Sequence, residues 1–199
     1  IVAVGPMLRD AVPVGIPIKD VDVRDCTGLA IAPGFIDVHT HDDAIVLNSP
    51  GMAPKLSQGI TTVVTGNCGL SVAPYVVSEP KGALTLLGNS FKYPSVAAYS
   101  RAVTQAGPAV NVALLIGHTT LRSATMDDLT RPATDDEVAR MCALMDQCMT
   151  DGAIGMSSGL FYAEAMPAPA SEVTALARVV ARHRGVYATH MRSEMAEIL

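Results

Sequence analysis

The sequence predicts an α/β fold: a parallel sheet wound in βαβ units, of the kind that closes a (β/α) barrel. Three observations predict it. From Pro33 onward, five short β-branched runs alternate with stretches of helical period. The helical stretches carry start and stop signals of their own. Each run also leads into residues that can bind a metal or donate a hydrogen bond: His39 and His41, Cys68, His118, Ser157 and Ser158, His190. In a barrel the strand C-termini share one mouth, so these positions make sense as a set.

Taken in order, residues 1–32 are rich in Val, Ile, Pro and Gly, with short alternations such as Ile1 to Val4 and Val21 to Val23 and no helical period. They read as part of a small β-sandwich domain, and residues 33–199 as the first five β/α units of a barrel. The expected strands are Gly34–His39, Ile60–Thr65, Val110–Ile116, Ala153–Met156 and Val186–Thr189. On the first, period two puts Phe35, Asp37, His39 and His41 on one face. Ile36, Val38 and Thr40 point the other way and should pack on helices. Two histidines at this spacing also occur on solvated edge strands; the recurrence of polar ends on the later strands favours the metal-facing reading.

Among the helices, Thr134-Asp-Asp-Glu137 is a capping box, and helix 135–151 follows it. Its apolar positions Val138, Met141, Leu144, Met145 and Cys148 step by three and four, and Gly152 suits a left-handed stop. Cys142 and Cys148 therefore belong to packing, being six apart and poorly spaced for joint ligation. Ser95 to Ala106, closed by Gly107, and the stretch between Ser171 and Gly185 supply two more helices. Val72 to Pro94 carries Pro and Gly and reads as an irregular excursion.

Composition narrows the function. The chain has 199 residues, 49% hydrophobic and 17% charged, which is enough apolar surface for a packed core. Its net charge is −5 and its basic residues are scattered, which excludes a nucleic-acid footprint and an anionic membrane surface. Cys26, Cys68, Cys142 and Cys148 form no C-x-x-C pair and no dense framework, so a reducing compartment is expected. No apolar run approaches the ~20 residues that span a bilayer, and no basic n-region or cleavage signal opens the chain. A cytoplasmic protein acting on a small molecule is the expectation. Ile1-Val-Ala-Val-Gly opens as though within a strand, so the natural start is expected upstream.

The residues at the strand ends point to a metal. Cys68 lies in Gly66-Asn-Cys-Gly69, where flanking glycines permit unusual backbone angles and close approach at the mouth. An isolated cysteine is more often a small buried hydrophobe, but here three candidate histidines stand opposite. Thiolate and imidazole together suit zinc, with a position left for water. Cys68, His190, His39 and His41 are the candidate ligands. His118 reads as a histidine bonded to a neighbouring loop rather than a ligand, and His183, between Arg182 and Arg184, as a surface residue near a helix end.

These motifs resemble the D-aminoacylase (N-acyl-D-amino-acid deacylase) branch of the amidohydrolase superfamily. Pro33-Gly-Phe-Ile-Asp-Val-His39-Thr-His41 resembles the superfamily's first-strand signature, and Gly66-Asn-Cys68-Gly this branch's cysteine ligand. Gly117-His-Thr-Thr-Leu-Arg122, Gly155-Met-Ser-Ser-Gly-Leu-Phe-Tyr162 and Thr189-His190-Met-Arg-Ser-Glu194 fall where the branch has counterparts. Hydantoinase and dihydroorotase relatives bridge two metals with a carboxylated lysine on the fourth strand. This chain has no lysine after Lys92 and ends that strand in Met156-Ser-Ser-Gly, which favours the acylase branch.

The resemblance implies a TIM-type barrel of the metal-dependent hydrolase type and zinc-dependent hydrolysis of N-acyl-D-amino acids to a carboxylate and a D-amino acid. Zinc held by Cys68, His190 and a further histidine would polarise the acyl carbonyl and activate water. His39 and His41 would line a second, weaker metal position. Tyr162 would bond the substrate or the developing oxyanion, or else merely pack its ring. The branch's further histidine ligand and catalytic aspartate have no counterpart here. A closed barrel takes eight strands and about 250 residues. The chain is therefore expected to be an N-terminal part whose barrel is completed by a C-terminal half. The alternatives are an amidohydrolase of another amide or amine, such as a deaminase or cyclic-amide hydrolase, and a non-catalytic fragment completed by a partner.

Overall fold

A computed structural model of the chain describes residues 24–89 and 91–195. Two compact units are distinguished, Ile1–Gly34 and Phe35–Leu199. The alternations expected to form β structure at Ile1 to Val4 and Val21 to Val23 lie outside the described residues. Residues 24–34 form a turn at Thr27-Gly28 and no strand.

The second unit is a five-stranded sheet with helices between successive strands. In chain order it runs β1 (Phe35–Asp37), α1 (Ile45–Asn48), α2 (Ala53–Leu56), β2 (Ile60–Thr65), β3 (Tyr75–Val76), a 3-10 helix (Gly82–Leu87), β4 (Lys92–Tyr93) and α3 (Val96–Ala106). Then follow β5 (Asn111–Gly117), α4 (His118–Thr125), α5 (Asp135–Thr150), β6 (Gly155–Gly159), α6 (Ala170–Arg182) and β7 (Val186–His190). The sheet order is β1-β2-β5-β6-β7, and every neighbouring pair is parallel. All five predicted barrel strands are thus present as the curled opening part of a TIM-type barrel.

Punctuation read from the sequence works as expected. The Ser95 hydroxyl accepts from the Ala98 amide at 3.1 Å to open α3, and Gly107 closes it at φ 61°. The Thr134–Glu137 capping box opens α5, and Gly152 follows it at φ 108°. Met141, Met145 and Cys148 on α5 and Leu176, Val179 and Val180 on α6 are all buried together with Met156 of β6. Burying a side chain of this size stabilises by about 1.5–3 kcal/mol, so this helix layer anchors β6 from behind.

The structure differs from expectation at several points. β1 ends at Asp37, so alternation stops before His39. Ile36 and Val38 were expected against helices but are 60% and 68% exposed, because β1 is an edge strand and no described helix covers its outer face. The 72–94 excursion is ordered: Val72, Leu84, Leu87 and Phe91 are buried, and β3 pairs antiparallel with β4. α6 begins at Ala170 after Pro169 rather than at a Ser171 cap. The polar helix α4 is held by its buried Arg122 rather than by an apolar stripe.

Candidate metal centre

The residues that meet at the sheet's C-terminal end come from the β1 and β2 termini. Beyond Asp37 the chain turns inward at Thr40, whose amide and hydroxyl both donate to the Val64 carbonyl, at 3.2 and 2.9 Å. Lys55 bridges the carboxylates of Asp37 and Asp42 at 2.7 and 3.0 Å. Its hydrogen bond holds the Asp37 carboxyl below the usual range. These ties fix the segment between them, which carries His39 and His41, whose rings lie edge to face with centroids 5.8 Å apart.

Cys68 enters from the other side on a loop in left-handed conformation: φ is 77° at Gly66, 55° at Cys68 and 78° at Gly69. L-residues avoid this region, so a cysteine there is held by its surroundings. The Asn67 side chain donates to the carbonyls of Val64 and Val38, at 3.0 and 3.3 Å. The Gly66 amide donates to buried Asp43 at 3.2 Å, and the Gly69 carbonyl accepts from the Thr119 amide at 2.9 Å. A side chain at Gly159 would collide with the Cys68 carbonyl, which explains a glycine there.

The outcome is a compact donor set. Cys68 Sγ lies 3.2 Å from His39 Nε2, and the ligand atoms of His39, His41 and Cys68 all fall within 4.8 Å of one another. The two histidines are exposed and the cysteine buried, so the set opens outward from the sheet. Burial raises the Cys68 thiol, while the nearby Tyr162 hydroxyl opposes that shift. Partial desolvation of the ring and the charge of His39 lower the His41 imidazole, favouring its neutral form. One soft sulfur with two borderline imidazoles fits a divalent cation of the zinc type.

Of the other predicted residues, His190 stands apart from this group. Its Nδ1 donates to the Met191 carbonyl at 2.9 Å and its ring stacks on Phe161 at 5.5 Å. Tyr162 lies between, with its ring centroid 5.8 Å from that of His190. His118 is fully buried, its Nε2 2.8 Å from Glu172, where the neighbour had been expected to be a loop. Arg122 grips the same carboxylate through both oxygens, at 2.6 and 2.8 Å. Burial alone would raise the Glu172 carboxyl; hydrogen bonds from His118 and Arg122 overcome it and hold it low. His183 is exposed and pairs with Asp146 at 2.9 Å.

Lys55 and Asp43 escaped the sequence reading. Lys55 had no signal, sitting alone in a Pro-Lys-Leu turn. Asp43 is indistinguishable in sequence from Asp42, yet it is fully buried and its carboxyl is pushed up to about 7, chiefly by burial.

Comparison with known proteins places this geometry in context. A family model described as the amidohydrolase family matches residues 22–197. The D-aminoacylase of Alcaligenes xylosoxydans xylosoxydans is 49% identical over 177 residues, which are 88% of this chain and 37% of that one. A D-aminoacylase crystal structure that defines a novel subset of amidohydrolases superposes with TM-score 0.81 at 50% identity, covering 83% of this chain and 35% of that chain. The N-acyl-D-glutamate deacylase of Bordetella bronchiseptica, solved with zinc and a phosphonate mimic of the tetrahedral intermediate, gives TM-score 0.79 at 42% identity, with the same coverage. The chain thus spans little more than a third of the length of these relatives.

Proposed function

The chain belongs to the amidohydrolase family, and from that premise we propose that it carries part of the active site of an enzyme that hydrolyses N-acyl-D-amino acids to a carboxylate and a D-amino acid. The observation that carries the proposal is the convergence of His39, His41 and Cys68 within 4.8 Å at the C-terminal end of parallel strands, in a chain 49% identical to a D-aminoacylase. The proposed cofactor is zinc, with Cys68, His39 and His41 as ligands and His190, at the end of β7, as a further one. When bound, the metal supplies Lewis acidity toward an amide carbonyl and acidifies water.

The chain's own residues do the rest of what is assigned to it. Cys68 gives up its proton on loading, and the neighbouring Tyr162 hydroxyl, which pulls the thiol down, eases that loss. His41, its basicity lowered by partial desolvation, keeps a free lone pair at neutral pH. Tyr162 is placed by our reading to donate its hydroxyl to the substrate's acyl oxygen as charge develops there. Phe161, exposed and stacked on His190, offers an apolar wall beside it. A cytoplasmic setting, no nucleic acid and no membrane partner complete the proposal; no described helix is long and apolar enough to cross a membrane.

The test is hydrolysis of N-acetyl-D- and N-acetyl-L-amino acids, with neutral and acidic side chains, by the protein at its natural length after zinc loading. The proposal expects turnover confined to D-substrates and abolished by chelation. Turnover of L-substrates alone, or full activity in chelator, contradicts it.

A further inference from the structure

We infer that Ser157 is the positioning residue of the Cys68 thiolate: its hydroxyl, reaching over from β6, holds the loop Gly66–Gly69 in the shape that turns the sulfur toward His39. The inference rests on the proposed reading of Cys68 as a metal ligand.

The loop needs an outside partner. With Gly66, Cys68 and Gly69 all left-handed, its carbonyls and amides leave the direction of the β2 ladder. They lie in a region where Gly66, Asn67, Cys68 and Gly69 are all buried, so water does not satisfy them. Ser157 serves two of these groups at once. Its hydroxyl donates to the Gly66 carbonyl and accepts from the Gly69 amide, the latter at 2.8 Å. Because an amide only donates and a carbonyl only accepts, the direction of both bonds is fixed and the single hydroxyl proton is committed.

The bridged groups flank Cys68, so the sulfur rides on the segment that Ser157 clamps. Ser157 is itself fully buried, and β5 lies between β2 and β6 in the sheet. The hydroxyl therefore ties the Cys68 loop to the sheet two strands away, where the α5–α6 layer anchors β6. Removing it leaves two buried backbone groups without a partner, and the loop must rotate to recover them.

Ser158 provides an internal control. It is equally buried, but its hydroxyl lies 2.7 Å from the Tyr187 hydroxyl and 2.8 Å from Thr189 Oγ1, joining β6 to β7. Its hydroxyl bonds to β7 rather than to the loop that carries Cys68, so the two serines separate loss of a buried hydroxyl from loss of the clamp.

The experiment loads the natural-length protein with cobalt(II) and reads the thiolate-to-cobalt charge-transfer band together with cobalt affinity. Wild type should show the band and Cys68→Ala should lose it. Ser157→Ala should weaken the band and loosen cobalt by roughly 10–100-fold, the range for partners behind a ligand. Ser158→Ala should change neither by more than about twofold. An unchanged band and affinity in Ser157→Ala overturns the inference while leaving the metal reading intact, and so does an equal change in Ser158→Ala. A wild-type spectrum without a sulfur band overturns the metal reading instead. In wild type without any substitution, the Gly69 amide should exchange slowly with solvent deuterium whether metal-free or cobalt-loaded; free exchange also overturns the inference.

Discussion

The surroundings of His118 and those of His39 and His41 differ in what faces the imidazole. His118 is fully buried and meets a carboxylate that Arg122 also grips, so the charges compensate one another where α4 meets α6. His39 and His41 are exposed, and their rings face each other and a thiol. In the first cluster guanidinium and imidazole share one carboxylate, and the Arg122 guanidinium also bonds the Glu164 and Arg131 carbonyls, so it braces helices. The second brings three ligand atoms to one point, open to solvent through its two histidines. A histidine whose partner is a paired carboxylate is structural; one that faces a soft donor at an open strand end has capacity left for a ligand.

Substitutions can break that contrast, and the largest effect should come from the brace. Glu172→Ala leaves Arg122 buried without its counter-charge and should cost about 3–5 kcal/mol, read by urea unfolding of the natural-length protein. A loss under about 1 kcal/mol, within the range of an exposed ion pair, would show that the brace is not what holds α4 and α6. Cys68→Ala should do the reverse. It should leave metal-free stability nearly unchanged, yet weaken zinc by more than the roughly 100-fold attributed to partners behind a ligand, measured by competition with a chromogenic chelator.

Next in size is the pH dependence of metal uptake. The thiol, raised by burial, must lose its proton to bind, whereas His41, lowered by partial desolvation, is already neutral near pH 7. Affinity should therefore fall at least tenfold per pH unit as pH drops below neutral, since Cys68 alone releases one proton per metal. A pH-independent affinity there would remove Cys68 from the ligand set. The smallest effect lies beside the brace, where the Ala133 amide donates to Glu172 and the Arg131 carbonyl accepts from Arg122. Thr134→Ala should cost about 1 kcal/mol by removing the cap that accepts from the Glu137 amide. Glu137, held down to about 2 chiefly by its hydrogen bond from Arg131, stabilises fully above its ordinary value of 4.5. That contribution should fade as pH falls from there through about 2, which thermal melts at pH 6, 4 and 2 would follow.

Legibility in the sequence followed the range of the interactions. Ile60–Thr65 was readable to the residue, and the Thr134 capping box was as well, because β-branched runs and caps are local signals. His39, His41 and Cys68 were legible as candidate donors because they sit at strand ends, and parallel sheets gather such ends. What was not legible depends on long-range company. Nothing in the sequence pairs Lys55 with Asp37 and Asp42, distinguishes buried Asp43 from its neighbour, or sends the Ser157 hydroxyl to a loop some 90 residues earlier. The exposure of Ile36 and Val38 was equally hidden, since an outward apolar face is readable but its cover is not.

The reading of this site turns on Cys68 ligating a metal. Zinc K-edge absorption of the zinc-loaded, natural-length protein tests it most directly. One sulfur neighbour at about 2.3 Å with nitrogen neighbours at about 2.0–2.1 Å is expected, the sulfur shell vanishing in Cys68→Ser. A zinc shell of nitrogen and oxygen alone in the wild type would contradict it.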